Sequence, residues 1–117
     1  MCIRDRRNTT PIIDVTTGAP YYYLADGPYG SLRRDAGDFY VEGELMWLDA
    51  DTIIRQLTHG KKSIDDYAKV YAGGTSGPRV VTYTRADLER YLGEVAPYDW
   101  HGFFEKYVYS ISPKRCV

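Results

Sequence analysis

Histidine, cysteine and long apolar runs are scarce in this chain, and each scarcity excludes a class of function. Only two histidines, His59 and His101, occur in 117 residues, and neither lies in an H-E-x-x-H arrangement. A zinc site of three protein ligands therefore cannot be assembled from recognisable spacing. The two cysteines, Cys2 and Cys116, sit at opposite extremes of the sequence. No disulfide framework is expected from them, and they leave the redox compartment unassigned. No Gly-x-Ser-x-Gly elbow is present to hold a serine nucleophile. No apolar stretch approaches the ~20 residues of a transmembrane helix. An excess of either charge is missing too. Fifteen Lys and Arg against sixteen Asp and Glu give a net charge of -1, with no electrostatic footprint for nucleic acid or an anionic membrane.

What the chain has in quantity is tyrosine, 12 of its 117 residues. Tyrosine joins an apolar body to a polar tip, so it suits both cleft walls and half-buried packing in a small domain. Charged residues at 26% and hydrophobic ones at 44% are ordinary for a soluble globular protein. The length predicts one domain with a modest core. Residues 1–7 lack the apolar centre and small-residue cleavage site of a signal peptide, and read as a non-native leader. Residues 111–117 read as a truncated tail.

The longest regular element is predicted within Asp38 to Ser63, one amphipathic helix with a stop at Gly60. Phe39, Gly43, Trp47, Ala50, Ile54 and Leu57 recur in steps of four and three, the helical period. Glu42, Glu44, Asp49, Asp51, Arg55 and Gln56 lie largely off that stripe. Asp38 is the expected N-cap. Gly60 stands where a left-handed C-terminal cap belongs, with Lys61 and Lys62 beside the negative end of the helix.

Before this helix, Asn8 to Gly37 is punctuated by Pro and Gly too often for a long element. Short extended pieces are expected at Pro11–Val15 and Tyr21–Leu24. After it, Ser63 followed by Asp66 is a capping box that starts a second helix, with Ile64, Tyr67, Ala68 and Tyr71 as its apolar face. Gly73–Arg79 is glycine-rich but lacks the Gly-Lys-Ser/Thr ending of a phosphate loop. Val80–Tyr83 reads as a short extended piece. Thr84 and Asp87 form a second capping box, opening a helix that buries Leu88, Tyr91 and Leu92. Pro97 and Asp99 introduce a fourth helix carrying Trp100, Phe103, Phe104, Tyr107 and Val108. The expected fold is mainly α, a lobe of about four helices preceded by an irregular, partly extended segment.

Several blocks of this pattern resemble one family. Tyr40-Val41-Glu42-Gly43, then Glu44 to Asp49, Asp51 to Arg55, Gly60 to Tyr67, and Tyr98-Asp99-Trp100 with Phe103 occur in the order found near the C-terminal end of the catalytic domain of M61 peptidases. These are the glycyl aminopeptidases, zinc enzymes of the thermolysin-like superfamily. The resemblance spans roughly Thr9 to Ser110, so residues 8–110 are expected to be the C-terminal portion of such a domain. It implies a peptide substrate, a zinc ion and general base supplied by polypeptide upstream, a PDZ domain downstream and an extracytoplasmic bacterial setting. It also implies that the segment before Asp38 is an ordered excursion over the cleft. Without the upstream part, the first long helix should expose apolar surface, and this chain alone should bind no zinc and be inert.

The same resemblance singles out Tyr40. In the related aminopeptidases the Tyr of a Tyr-x-x-Gly motif at the start of a helix lines the active site. Its hydroxyl donates a hydrogen bond to the oxyanion formed during peptide hydrolysis. A tyrosine phenol keeps its proton at neutral pH and makes a fixed donor aimed at developing charge. Gly43 would allow close approach of a neighbour. The histidines carry simpler expectations: His59 stabilises the carbonyl end of the long helix, and His101 is partly exposed near the start of the last one. Glu42/Glu44 and Asp65/Asp66 are too close in sequence to share a helix face, and read as solvated charge. Two alternatives remain open: a helical protein-interaction module, and a degenerate peptidase-like domain that binds peptides without cleaving them.

Overall fold

The computed structural model describes residues 11–16, 38–73 and 80–111. Among them the chain is mainly α-helical, with no strand. The helices are α1 (Ile12–Thr16), α2 (Asp38–Leu57), α3 (Ile64–Ala72), α4 (Arg85–Val95) and α5 (Trp100–Phe104), and a π-helical turn, Glu105–Tyr109, follows α5 directly. The chain divides into two compact units. One takes in the described residues up to Met46 and those from Gly102 onward; the other is Trp47–His101.

In the first unit, α1 occupies the place where a strand was expected at Pro11–Val15. The Asp14 amide donates to the Pro11 carbonyl at 3.2 Å, and Thr16 Oγ1 donates to the Ile13 carbonyl at 2.7 Å. Five residues are too few to separate a period of two from one of 3.6, and the fixed φ of proline suits the start of a helix. α1 packs on the π-helical turn, with Ile12 buried. Phe103 and Phe104 are also buried, their rings nearly perpendicular at 86°. The fourth predicted helix thus exists, but its second half is wound as π. The Ser110 amide reaches back five residues to the Glu105 carbonyl at 2.9 Å. The piece expected at Tyr21–Leu24, the rest of the N-terminal excursion and residues 74–79 lie outside the described residues.

In the second unit the core is built from Ala50, Ile54, Tyr67, Leu92, Val95, Ala96 and Trp100. Ala50 and Ile54 confirm the predicted stripe, and both are wholly buried. Leu57, expected to close that stripe, is exposed because the helix ends there. The end is a Schellman motif. The Gly60 amide donates to the Arg55 carbonyl at 2.8 Å and the His59 amide to the Gln56 carbonyl at 3.4 Å. Both His59 (φ 53°) and Gly60 (φ 76°) are left-handed. The residue in the first left-handed position is therefore His59, and Gly60, the expected cap, comes one step later. At the other end the described part of α2 begins at Asp38.

Both capping boxes form as the sequence predicts. Ser63 and Asp66 exchange bonds at the start of α3, and Thr84 and Asp87 do so at the start of α4. Tertiary contacts then fix these helices. Asp51 Oδ1 on α2 accepts the Ile64 amide at 2.8 Å, tying the start of α3 to the preceding helix. Lys62 Nζ donates to the Val95 carbonyl at 3.0 Å, satisfying an acceptor at the end of α4. The buried Trp100 indole donates to the Ala96 carbonyl at 2.9 Å. α3 and α4 pack on one another.

Candidate functional site

Tyr40 is the third residue of α2, in the turn whose amides carry the positive end of the helix dipole. It is 63% exposed. Its ring lies 4.4 Å from that of Phe39, tilted by 33°, which steadies the side chain without burying its tip. The hydroxyl makes no hydrogen bond to a described residue. An exposed phenol at a helix N-terminus is available to donate to a ligand. The acids of the same turns, Glu42 and Glu44, act against an anion there, so any oxyanion must be held by direct donation more than by the local field. Gly43 is partly buried, but a Cβ built on it meets nothing within 4 Å. The close approach expected at this glycine is not made in this structure.

The two histidines do different work. His59 is exposed and holds the left-handed position after α2. Its part in ending the helix is thus played by its backbone. His101, at the start of α5, is exposed as expected, with Nδ1 3.2 Å from Glu89 Oε1. Arg85 completes the group, with Nε 2.6 Å from Glu89 Oε1 and Nη2 donating to the His101 carbonyl at 3.1 Å. Among the described residues no group of three or more His, Cys, Asp or Glu side chains is placed to hold a metal ion.

Asp66, expected with Asp65 to be solvated charge, is engaged at a helix start, and Asp51 and Asp87 are engaged as well. Asp51, 17% exposed at its side chain, is bonded to Arg55 Nε at 2.6 Å as well as to the Ile64 amide. These two bonds, that to Arg55 foremost, hold its carboxyl below the usual range. Asp66 and Asp87 are lowered too, the first chiefly by the Ser63 amide and the second by Thr84.

An aromatic cluster is the feature that sequence reasoning did not resolve. Trp47 stacks on Tyr67 at 5.3 Å, and Tyr67 on Tyr71 at 5.9 Å. Tyr71 then meets Tyr83 and Tyr91 edge-on at 5.5 and 6.3 Å, and the Arg90 guanidinium lies 4.3 Å over the Tyr91 ring. Tyr67 is buried and its phenol is pushed up to about 12 by that burial, its tyrosine neighbours adding to the effect. Tyr71 is raised in the same way. The cluster begins in the core and ends at the surface, where Tyr83 is 58% exposed. The spacing of Tyr67 and Tyr71, four apart on one helix, was the signal available in the sequence; their meeting with Tyr83 and Tyr91 is tertiary.

No helix among the described residues is long and apolar enough to cross a membrane. No protein-family model matches the chain and no curated protein matches it.

Proposed function

We propose that this chain is the C-terminal helical portion of a glycyl-aminopeptidase-like metallopeptidase domain, in which α2 forms cleft wall and Tyr40 is the catalytic residue this portion contributes. The observation that carries the reading is the Tyr40-x-x-Gly43 motif in the first turns of α2, with the phenol exposed and its hydroxyl unengaged by the described residues. The reaction is hydrolysis of a peptide bond near the N-terminus of a peptide. Tyr40 donates a hydrogen bond to the oxyanion of the tetrahedral intermediate, a bond stronger there than to the ground-state carbonyl. The zinc ligands and general base of such an enzyme belong to polypeptide upstream, and a PDZ domain follows it. By itself the chain is inert.

The test is to express the domain completed by its upstream coding sequence and to measure aminopeptidase activity with and without a chelator. Tyr40→Phe in that protein should lower kcat/KM by about 10²–10³, the worth of one oxyanion donor, with most of the loss in kcat. An unchanged kcat/KM would sink the role given to Tyr40. A second reading, a peptide-binding module without catalysis, is favoured by the exposed rings of Tyr71 and Tyr83. A completed domain that folds, holds no metal and cleaves nothing would decide for it.

A further inference from the structure

The run Val80-Val81-Thr82-Tyr83 leads into α4 without turn or bend, and Thr84 at its end has φ -113° and ψ 168°, the extended conformation. Valine, threonine and tyrosine are residues that favour strands, and none of the usual turn formers interrupts them. Yet the described residues hold no strand for the run to join. Among them, no hydrogen bond engages the main chain of Val80, Val81, Thr82 or Tyr83. The valine side chains are bare as well, Val80 94% and Val81 64% exposed. Alternate residues of an extended chain share a face, so Val81 stands on the side of Tyr83. The Tyr83 ring meets that of Tyr71 edge-on at 5.5 Å, and both rings are exposed. These residues all lie within the unit Trp47–His101.

We propose that this run receives an extended peptide as an added strand. The peptide's main chain pairs with one edge of residues 80–83, and its apolar side chains, at every second position, rest on Val81, Tyr83 and Tyr71. The unmade main-chain bonds select the occupant, because an open strand edge is a template for another extended chain. A helix has spent its own amides and carbonyls internally and cannot supply those bonds. A second copy of the chain could supply them, but four residues of strand span only ~13 Å. That is too little to bury the ~1,000 Å² of a specific dimer interface. Residues 80–84 carry no charge, so recognition rests on main-chain bonds and apolar contact. The site belongs to the peptide-binding reading and uses neither Tyr40 nor a metal, so it can fail while the peptidase reading stands, and the reverse.

The test is an NMR titration of the isotope-labelled whole chain with a short capped peptide in which valine and threonine alternate. The amides of Val80, Val81, Thr82 and Tyr83 should shift saturably, and hydrogen exchange on the paired edge should slow by about tenfold or more. The same peptide N-methylated at two adjacent central residues has lost a donor on each edge, and should bind at least about tenfold more weakly. Val81→Pro and Thr82→Pro take an amide from opposite edges of the run, so at least one of them should lose binding. Val81→Ser keeps both edges and should still weaken the peptide severalfold, by about tenfold at most. Because Val81 is exposed, the far-ultraviolet circular dichroism of that variant should match the parent. No saturable shift at these amides would overturn the proposal, as would equal binding of the two peptides or undiminished binding in both proline variants. So would shifts of the same amides that grow with protein concentration in the absence of peptide, which would give the run to a second copy of the chain.

Discussion

Removing the Asp51 carboxylate would uncouple the start of α3 from the helix before it. The carboxylate accepts the Ile64 amide at 2.8 Å through one oxygen and Arg55 Nε at 2.6 Å through the other. The Ile64 amide is among the first four of α3, which have no partner within the helix. The Ser63 box serves other amides of that turn, so nothing in the helix replaces Asp51. A side-chain cap is worth ~1 kcal/mol, rising to about 1.5–3 kcal/mol where the acceptor is charged. The pair with Arg55, whose side chain is 54% exposed, adds only ~0.3–0.5 kcal/mol. Asp51→Ala should therefore cost about 2 kcal/mol, a drop in Tm of roughly 6–12 °C for a chain of this size. Asp51→Asn keeps an acceptor oxygen for the Ile64 amide and should lose less than half as much. The pH dependence follows from the depressed carboxyl. A carboxylate whose folded pKa lies below its unfolded one contributes stability that is complete above the unfolded value, ~3.9, and is lost as pH falls through the folded value. The advantage of the parent over Asp51→Asn should thus be full near neutrality and shrink below about pH 4. Thermal melts followed by circular dichroism across that range measure both. Equal melting of the parent and Asp51→Ala at neutral pH would refute the reasoning, and so would a gap between parent and Asp51→Asn that does not change with acid.

Three further changes follow from the same physical reading. His59 carries a left-handed φ of 53°, so His59→Gly should raise stability by about 1 kcal/mol in chemical denaturation. A loss would mean that the imidazole, and not the backbone, makes the contact that ends α2. Gly93 sits inside α4 with open space where a Cβ would stand; Gly93→Ala should stabilise by about 0.5–1 kcal/mol, read as a rise in Tm. Tyr67, pushed up to about 12, should ionise above the ordinary phenol range in an ultraviolet pH titration of the folded chain, a component that Tyr67→Phe removes. Its unfolded phenol ionises first as pH rises past ~10, so this group should lower stability between pH 10 and about 12, and a Tyr67→Phe variant should lack that share of the alkaline loss.

The parts of the fold legible in the sequence are those whose cause is local. Ser63 with Asp66, and Thr84 with Asp87, each place a hydroxyl and a carboxylate three residues apart, and four residues suffice to state where a helix begins. The stripe through Ala50 and Ile54 is equally local, a matter of period. What was misread depends on partners remote in the chain or on too short a window. α1 is five residues of mostly β-branched character, which fit a strand until the packing of Ile12 on the π-helical turn decides otherwise. The bond that Asp51 makes was not legible because the amide it caps lies thirteen residues on. Gly60 drew the cap assignment because glycine is the favoured left-handed residue, yet the bond pattern puts His59 in the first such position.

The candidate site shows the same division more sharply. Tyr40 could be named from a short motif, and in the structure it is exposed in the first turn of α2. Gly43 could be named too, but its reason could not be checked from the motif, and the space around it is open. That openness is itself a discriminating feature. A glycine inside a helix costs ~0.5–1 kcal/mol relative to alanine. Here, as for Val41, Leu45 and Leu48 on the outer face, the helix bears a cost that the described residues do not offset. Both features lie in the first three turns of α2, beside Tyr40. The two features do not share a cause: Gly43 lies on the side of the helix that carries Ala50 and Ile54, and Val41, Leu45 and Leu48 on the other.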